Sequence, residues 1–384
     1  MRIIYLINGL NGGGAAFPMM QVIALMRDAG HEVTVLALMA QDGKAGARLK
    51  EAGIPFEILG QGTTDYLRQA RSLVRQLRAR RPDLLWTSLT RGTLYGQVIG
   101  RLMRIPVVSW QHSDYLKPGN LAALRLTRRL TSRWVADSDS VRAFVHARLG
   151  VPLDRIETWP PFVADPALPA ASAWQPAGGA PLRLGTLGRL HHSKQYGVLL
   201  RAYARARQLD QRVAGHTELV LAGDGPEQGA LESLVAELGI AGAVRFTGFV
   251  ERPAEFLASL HGYLQTSLKE GFCIALHEAM QAGLPVITTR VGQPAFSVRP
   301  GETGWLCEVG DVEALARAMV ALVADPSAAA AMGRAARGFV LDRYSRAHFR
   351  SIGERLIGAV ERQIGMAGAR PASPEPAESP SSPP

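Results

Sequence analysis

The chain has 384 residues, of which 47% are apolar and 20% charged, enough for two globular domains and too hydrophobic for a disordered chain. The net charge of +10 is concentrated at the front, where residues 1–165 hold 22 Lys/Arg against 13 Asp/Glu. That excess points to an anionic partner (a lipid surface, a nucleic acid or a phosphorylated substrate), although solvated arginines on helix faces produce the same count. No run approaches the ~18 apolar residues of a membrane span. Met1 leads straight into an apolar segment, which predicts no signal peptide and a cytoplasmic protein. Cys273 and Cys307 lack metal-ligand spacing and fit a reducing compartment as small apolar fillers.

In chain order, Ile3–Asn8 reads as a strand, followed by a Gly-rich turn and a helix near Ala15–Ala29. His31–Leu38 is the next strand, Asp65–Arg81 an Arg-rich helix, and strands recur at Leu84–Thr87, Val107–Trp110 and Trp134–Asp137. Leu121–Trp134 reads as one helix with Arg125, Arg128, Arg129 and Arg133 sharing much of one face, either resting on an anionic membrane or solvated. The Pro/Ala/Gly-rich stretch 166–180 predicts a linker between a first domain (1–165) and a second (181–345). In the second, strands are expected at Leu182–Leu187, Glu218–Ala222, Val244–Thr247, Gly262–Gln265 and Val286–Thr288, with helices at Val198–Leu209, Gln228–Leu238 and Val312–Val323. A last helix over 346–366 has the option of crossing back to the first domain, and 367–384 is disordered by composition. Alternating strands and helices imply two doubly wound α/β domains facing a cleft, with ligands beyond the carboxyl ends of the strands.

Chemistry-bearing residues concentrate in loops after strands. Glu270 and Glu278 lie eight positions apart, Glu270 in a loop with Gly271 and Glu278 two turns into a helix starting near Phe272. A carboxylate accepts two hydroxyl hydrogen bonds, which suits sugar and ribose diols, and free amides at a helix start suit a phosphate. The same spacing also fits an ordinary capped helix. Arg189 and Lys194, after the first strand of the second domain, are spaced to converge on a diphosphate or to stand as solvated cations. Gly223-Asp224-Gly225-Pro226 is a tight strand-to-helix turn. Gly12-Gly13-Gly14 lets backbone amides approach an anion, though without dinucleotide or Walker spacing. His112 follows a strand and is either a site residue or a structural histidine, and Asp137-Ser138-Asp139 reads as a turn and helix cap.

The text Glu270-Gly271-Phe272 … His277-Glu278-Ala279-Met280 … Ala282-Gly283-Leu284-Pro285-Val286-Ile287 resembles the acidic signature of glycosyltransferase family four, retaining enzymes of the GT-B fold with two Rossmann-like domains. Gly188-Arg189-Leu190 … Lys194, the Gly-Asp-Gly-Pro turn and Thr303–Leu315 extend the match over residues 182–325. The resemblance implies that Glu270 binds donor hexose hydroxyls, Glu278 the nucleotide ribose, and Arg189 and Lys194 the leaving diphosphate. It adds Gly13, Gly14, Gly188, Gly223, Asp224, Gly271, Phe272, the Cys273 amide and Ile274 to the donor site, Phe249 beside the base, and His112 near the sugar. Family members typically carry Gly or Pro at the position of Cys273, many have Glu where Ala16 stands, and a Glu usual in the loop Val291–Phe296 is missing.

The implied activity is transfer of a hexose, with retention and without a metal or other cofactor, from a UDP- or GDP-linked donor to a glycan or lipid-linked acceptor. The setting would be cell-surface polysaccharide synthesis at the cytoplasmic face of the inner membrane. A sugar-nucleotide epimerase or phosphorylase of the same fold is the alternative, and a non-catalytic sugar-nucleotide binder a further one. No motif supports nucleic-acid binding.

Overall fold

The computed structural model describes residues 1–10, 18–40, 43–175 and 179–365. The composition-based reading of 367–384 falls outside them. Strands β1 (Arg2–Gly9), β2 (Glu32–Met39), β3 (Phe56–Ile58), β4 (Leu84–Ser88), β5 (Val107–Gln111), β6 (Arg133–Ala136) and β7 (Ile156–Thr158) form one sheet in the order β3-β2-β1-β4-β5-β6-β7. Strands β8 (Leu182–Leu187), β9 (Thr217–Ala222), β10 (Val244–Gly248), β11 (Gly262–Gln265), β12 (Val286–Thr289) and β13 (Gly304–Cys307) form a second in the order β10-β9-β8-β11-β12-β13. Every pairing within the two sheets is parallel. Central strands such as Ile3–Ile7 are buried throughout, as parallel strands covered by helices on both faces require.

The short strands β3, β7 and β13 and the helices Thr90–Met103 and Pro326–Arg343 carry too little periodicity to stand out in the sequence. The expected helix Leu121–Trp134 is corrected. A helix at Pro118–Thr127, with Pro at its first turn, gives way to a 3-10 turn at Arg128–Leu130 and then to β6. Buried Gln97 ends it by taking the Thr127 hydroxyl at 2.6 Å and donating to Thr131 at 2.7 Å, so Arg133 leaves the face it was to share. The helix expected from Phe272 begins at Ile274, because Cys273 takes a left-handed conformation (φ 63°) and caps it. Glu278 therefore sits one turn in rather than two.

The segment from 164 to 175 runs along the second sheet's domain, where Ala164 and Ala171 donate to the carbonyls of Tyr344 and Ala282 and Trp174 packs on its core. The final helix, Arg346–Gln363, packs into the core of the first sheet. There Trp86, Trp110 and Trp159 cluster with ring centroids 5.9–6.1 Å apart, and Phe349 meets Trp159 at 5.1 Å. Gly353 lies so close that a Cβ would fall 2.6 Å from the Trp159 ring. Among the described residues no single helix is long and apolar enough to cross a membrane.

The aromatic seam makes the last helix an integral part of the first domain. Phe349→Ala should lower unfolding free energy by about 3 kcal/mol in a urea titration; a loss under ~1 kcal/mol would mean that the helix is peripheral.

Candidate active site

The second sheet reverses its order between β8 and β11, and a crevice opens at such a switch point beyond the strand ends. The loops leaving these two strands carry Lys194 and Glu270. They are laced together: Leu268 donates to the Ser193 carbonyl at 2.8 Å, and the Thr266 hydroxyl donates to the carbonyls of Lys194 (3.0 Å) and Gln195 (3.2 Å). The Lys194 ammonium reaches Glu270 Oε1 at 2.6 Å, and the same oxygen accepts from the Ser267 hydroxyl at 2.6 Å and the Gln265 amide at 3.2 Å. Tyr263 orients that amide by donating to Gln265 Oε1 at 2.8 Å. Burial opposes the charge on Lys194, but the Glu270 carboxylate, with smaller help from Cys273 and Tyr196, leaves its pKa above the ordinary lysine value.

Glu278 faces a different environment. Its side chain is half-buried, no donor among the described residues hydrogen-bonds to its carboxylate, and burial pushes its pKa up to about 7. An acid left short of donors in this way is ready to accept hydroxyls from a ligand. The neighbouring Cys273 thiol is buried, and burial, reinforced by the Glu270 charge, raises its pKa and keeps it neutral. Phe272 turns inward, 4.1 Å from the His277 ring and 5.3 Å from Tyr344, so only its backbone is free to line a ligand, and Ile274 packs on the same cluster.

The remaining expected residues divide into turn-builders and exposed groups. Gly188 donates to the Ala222 carbonyl at 2.9 Å, and Gly223 (φ 130°) passes so close that a Cβ would fall 2.0 Å from the Gly188 carbonyl. These glycines allow two loops to nest, and the exposed Asp224 contributes its carbonyl to Leu190. Phe249 is 59% exposed. Arg189 is exposed and makes no ion pair among the described residues, so it does not join the Lys194–Glu270 cluster. Gly13 and Gly14 lie outside the described residues. No three His, Cys, Asp or Glu side chains among the described residues form a metal-ligand group.

The first domain meets this crevice with the ends of three consecutive strands. Ser88 closes β4, His112 follows β5 and Asp137 follows β6. The His112 ring lies 2.6 Å from Ser88 Oγ through Nε2 and 3.0 Å from Asp137 Oδ2 through Nδ1. Its carbonyl presses on Gly271, where a Cβ would come within 2.2 Å, so only glycine permits the contact. Around it Lys269 Nζ sits 3.6 Å from the Tyr115 ring centroid, Gln293 Oε1 accepts from the Asp139 amide at 3.0 Å, and Arg343 lies 3.9 Å from Asp139. Asp114 also faces the junction. Burial pushes its pKa up to about 6, with Glu270 adding to the rise and Lys269 opposing it.

Sequence reasoning missed Gln265, Ser267, Ser88, Asp114 and Gln293. Their one available signal is position, since each lies at or just beyond a strand's carboxyl end. Asp137 was hidden in a triplet read as turn and cap, and Ser138 does cap the helix Asp139–Phe144 by accepting from the Val141 amide at 3.2 Å.

Comparison with known proteins matches two family models in turn: residues 12–165 to Glycosyltransferase Family 4 and 181–325 to Glycosyl transferases group 1. The lipopolysaccharide core biosynthesis glycosyltransferase LpsE of Rhizobium meliloti is 31% identical over 42% of this chain and 45% of its own length. The GDP-mannose-dependent α-(1-6)-phosphatidylinositol monomannoside mannosyltransferase of Mycolicibacterium smegmatis is 31% identical over 60% of this chain and 59% of its own. The chain thus spans about half the length of these relatives. Anabaena HepE, solved with UDP-glucose, superposes with a TM-score of 0.81 at 21% identity over 94% of this chain and all of its own, which establishes the fold. Two family models laid end to end on two parallel sheets of the GT-B fold lead to one assignment: the chain belongs to glycosyltransferase family four.

Proposed function

We propose that this chain transfers a hexose, with retention of anomeric configuration and without a metal, from a nucleotide-diphosphate sugar to a glycan or lipid-linked acceptor in cell-surface polysaccharide synthesis. The carrying observation is the Lys194–Glu270 pair at the switch point, with Glu278 beside it in sequence and short of donors. One Lys194 proton is held by Glu270 and the ammonium's other two remain for a diphosphate. As the bond from the anomeric carbon to the diphosphate oxygen breaks, Lys194 and the amides at the start of the helix Ile274–Gln281 stabilise the charge left on the phosphate. Arg189, exposed and without an ion pair among the described residues, joins on ligand binding. The acceptor hydroxyl forms the new glycosidic bond and its proton passes to the departing phosphate. The Gly271–His112 contact closes the crevice and limits hydrolysis by water. The relatives' activities, a lipopolysaccharide core biosynthesis glycosyltransferase and a phosphatidylinositol monomannoside mannosyltransferase, support the acceptor class.

Lipid-linked acceptors call for a membrane, and the charge distribution supports contact with an anionic one at the cytoplasmic face. Residues 90–136 carry eight Lys/Arg and one acid, Asp114. Leu102 and Leu126 there are 77% and 84% exposed, and their neighbours Arg101, Arg104, Arg125 and Arg129 form no ion pair among the described residues.

Three outcomes are expected. Lys194→Ala and Glu278→Ala should each reduce sugar transfer by about 10²–10³-fold, equivalent to ~3–4 kcal/mol, with unchanged circular dichroism; turnover like that of the native protein in either would refute the assignment. Glu278, with its folded-state pKa near 7 against 4.5 for an ordinary Glu, holds a proton that the unfolded chain releases, so its contribution to stability is full below the unfolded value and falls as pH rises through 7. Glu278→Gln should therefore melt above the native protein at pH 8 and alongside it at pH 4, and parallel melting curves at both would contradict the buried acid. Finally, the double variant Arg125→Ala/Arg129→Ala should weaken co-sedimentation with phosphatidylglycerol-containing vesicles by about thirty-fold, since each surface cation adds ~1 kcal/mol; unaltered binding, or equal binding to neutral vesicles, would remove the membrane contact.

A further inference from the structure

The buried polar groups of the first domain form a chain that the transfer chemistry above does not use. His112 sits between Ser88 and Asp137 at the ends of three adjacent parallel strands, with side-chain exposures of 9% for the ring and 4% for the carboxylate. Its ring lies 5.0 Å from Trp110, which confines it on one side. Burial pushes the Asp137 carboxyl up, and the imidazole, then Trp110 more weakly, draws it back down. Asp137 Oδ1 is buried with no hydrogen-bond partner among the described residues, so the residue commits its one bonded oxygen to His112. A buried acid in this position is expensive, and nothing in the packing needs it: an apolar side chain would fill the same volume at less cost.

We propose that Asp137 is a positioning residue: it fixes the ring plane and tautomer of His112 so that Nε2 is a hydrogen-bond acceptor at the junction of the two domains. A carboxylate only accepts, so Nδ1 carries a proton, and on the neutral ring Nε2 then presents a lone pair. Ser88 satisfies that lone pair at 2.6 Å in this structure. A sugar hydroxyl is a donor of the same kind and replaces Ser88 when the crevice is filled, because the His112 carbonyl already touches Gly271 beside Glu270. The subsite thereby selects a neutral, hydroxyl-bearing group. A ligand carboxylate would face the Nε2 lone pair with Asp114, Glu270 and Asp137 around it. This inference deepens the transferase reading and rests on it for the identity of the ligand, whereas the tautomer does not depend on that reading.

The test substitutes Asp137→Asn, which preserves volume and lets the side-chain amide donate to Nδ1. In nitrogen-15 spectra of the apo protein, His112 should carry its proton on Nδ1 in the native chain and on Nε2 in the variant. With the native protein transferring sugar from its nucleotide donor, the variant should lose ten-fold or more in kcat with an unchanged melting temperature, and Asp137→Glu should recover part of the loss. An unaltered tautomer in Asp137→Asn, or native kcat despite an altered one, overturns the positioning role. Absence of transfer by the native protein would instead defeat the transferase reading and leave the tautomer result standing.

Discussion

A lysine and a carboxylate withdrawn together from water into a crevice set the terms for the rest of this structure. Such a pair is a poor investment in stability, since desolvating both ions costs several kcal/mol that their mutual attraction only partly returns. It persists here because Ser267 and Gln265 share Glu270 Oε1 with Lys194, and Tyr263 orients Gln265 from below. These partners come from β11 and the loop after it, and Lys194 from the turn after β8. The pair exists only because the sheet order brings those two strands side by side.

Placing the crevice at a switch point leaves one side open, and the first domain supplies that side. The contact is made by backbone: the His112 carbonyl against the bare Cα of Gly271. Around it the fastenings include polar ones: Ser138 to the Gly271 carbonyl, Lys269 on Tyr115, Gln293 to the Asp139 amide, and Arg343 near Asp139. Such contacts are easily exchanged for water, which suits a junction that, in the proposed reaction, admits a donor and releases a nucleotide. The aromatic seam of Trp159 and Phe349 ties the last helix to the first core and carries the stability that this junction lacks.

Much of this was legible in the sequence. The strand–helix alternation identified two doubly wound sheets, because parallel strands buried on both faces read as short apolar runs. The Lys194–Glu270 relation was legible only through family resemblance; 76 residues separate them, and spacing alone carries no long-range information. What stayed hidden has definite causes. Thr90–Met103 contains three glycines (Gly92, Gly96 and Gly100) packed close to β1, β4 and β5, which dilute its helical pattern. The Leu121–Trp134 segment kept a helical spacing of leucines across a break imposed by Gln97, a residue distant in sequence. Asp137 was masked by a neighbour, Ser138, whose capping role is real.

The departure at Cys273 shows how backbone geometry constrains such substitutions. Its φ of 63° lies in the left-handed region, where a side chain costs roughly 1–2 kcal/mol and glycine costs nothing. Proline, locked near −65°, cannot adopt this conformation at all, so a relative with proline here must turn its loop differently. Cysteine tolerates the strain because its thiol is buried beside Phe272 and Leu276 in the same apolar cluster, and that burial helps offset the cost. The result is a helix delayed to Ile274, with no side chain capping its first amides and Glu278 brought one turn from its start. A strained residue held by its packing, directly before the amides that a phosphate would need, is the arrangement expected where local conformation serves a ligand rather than the fold.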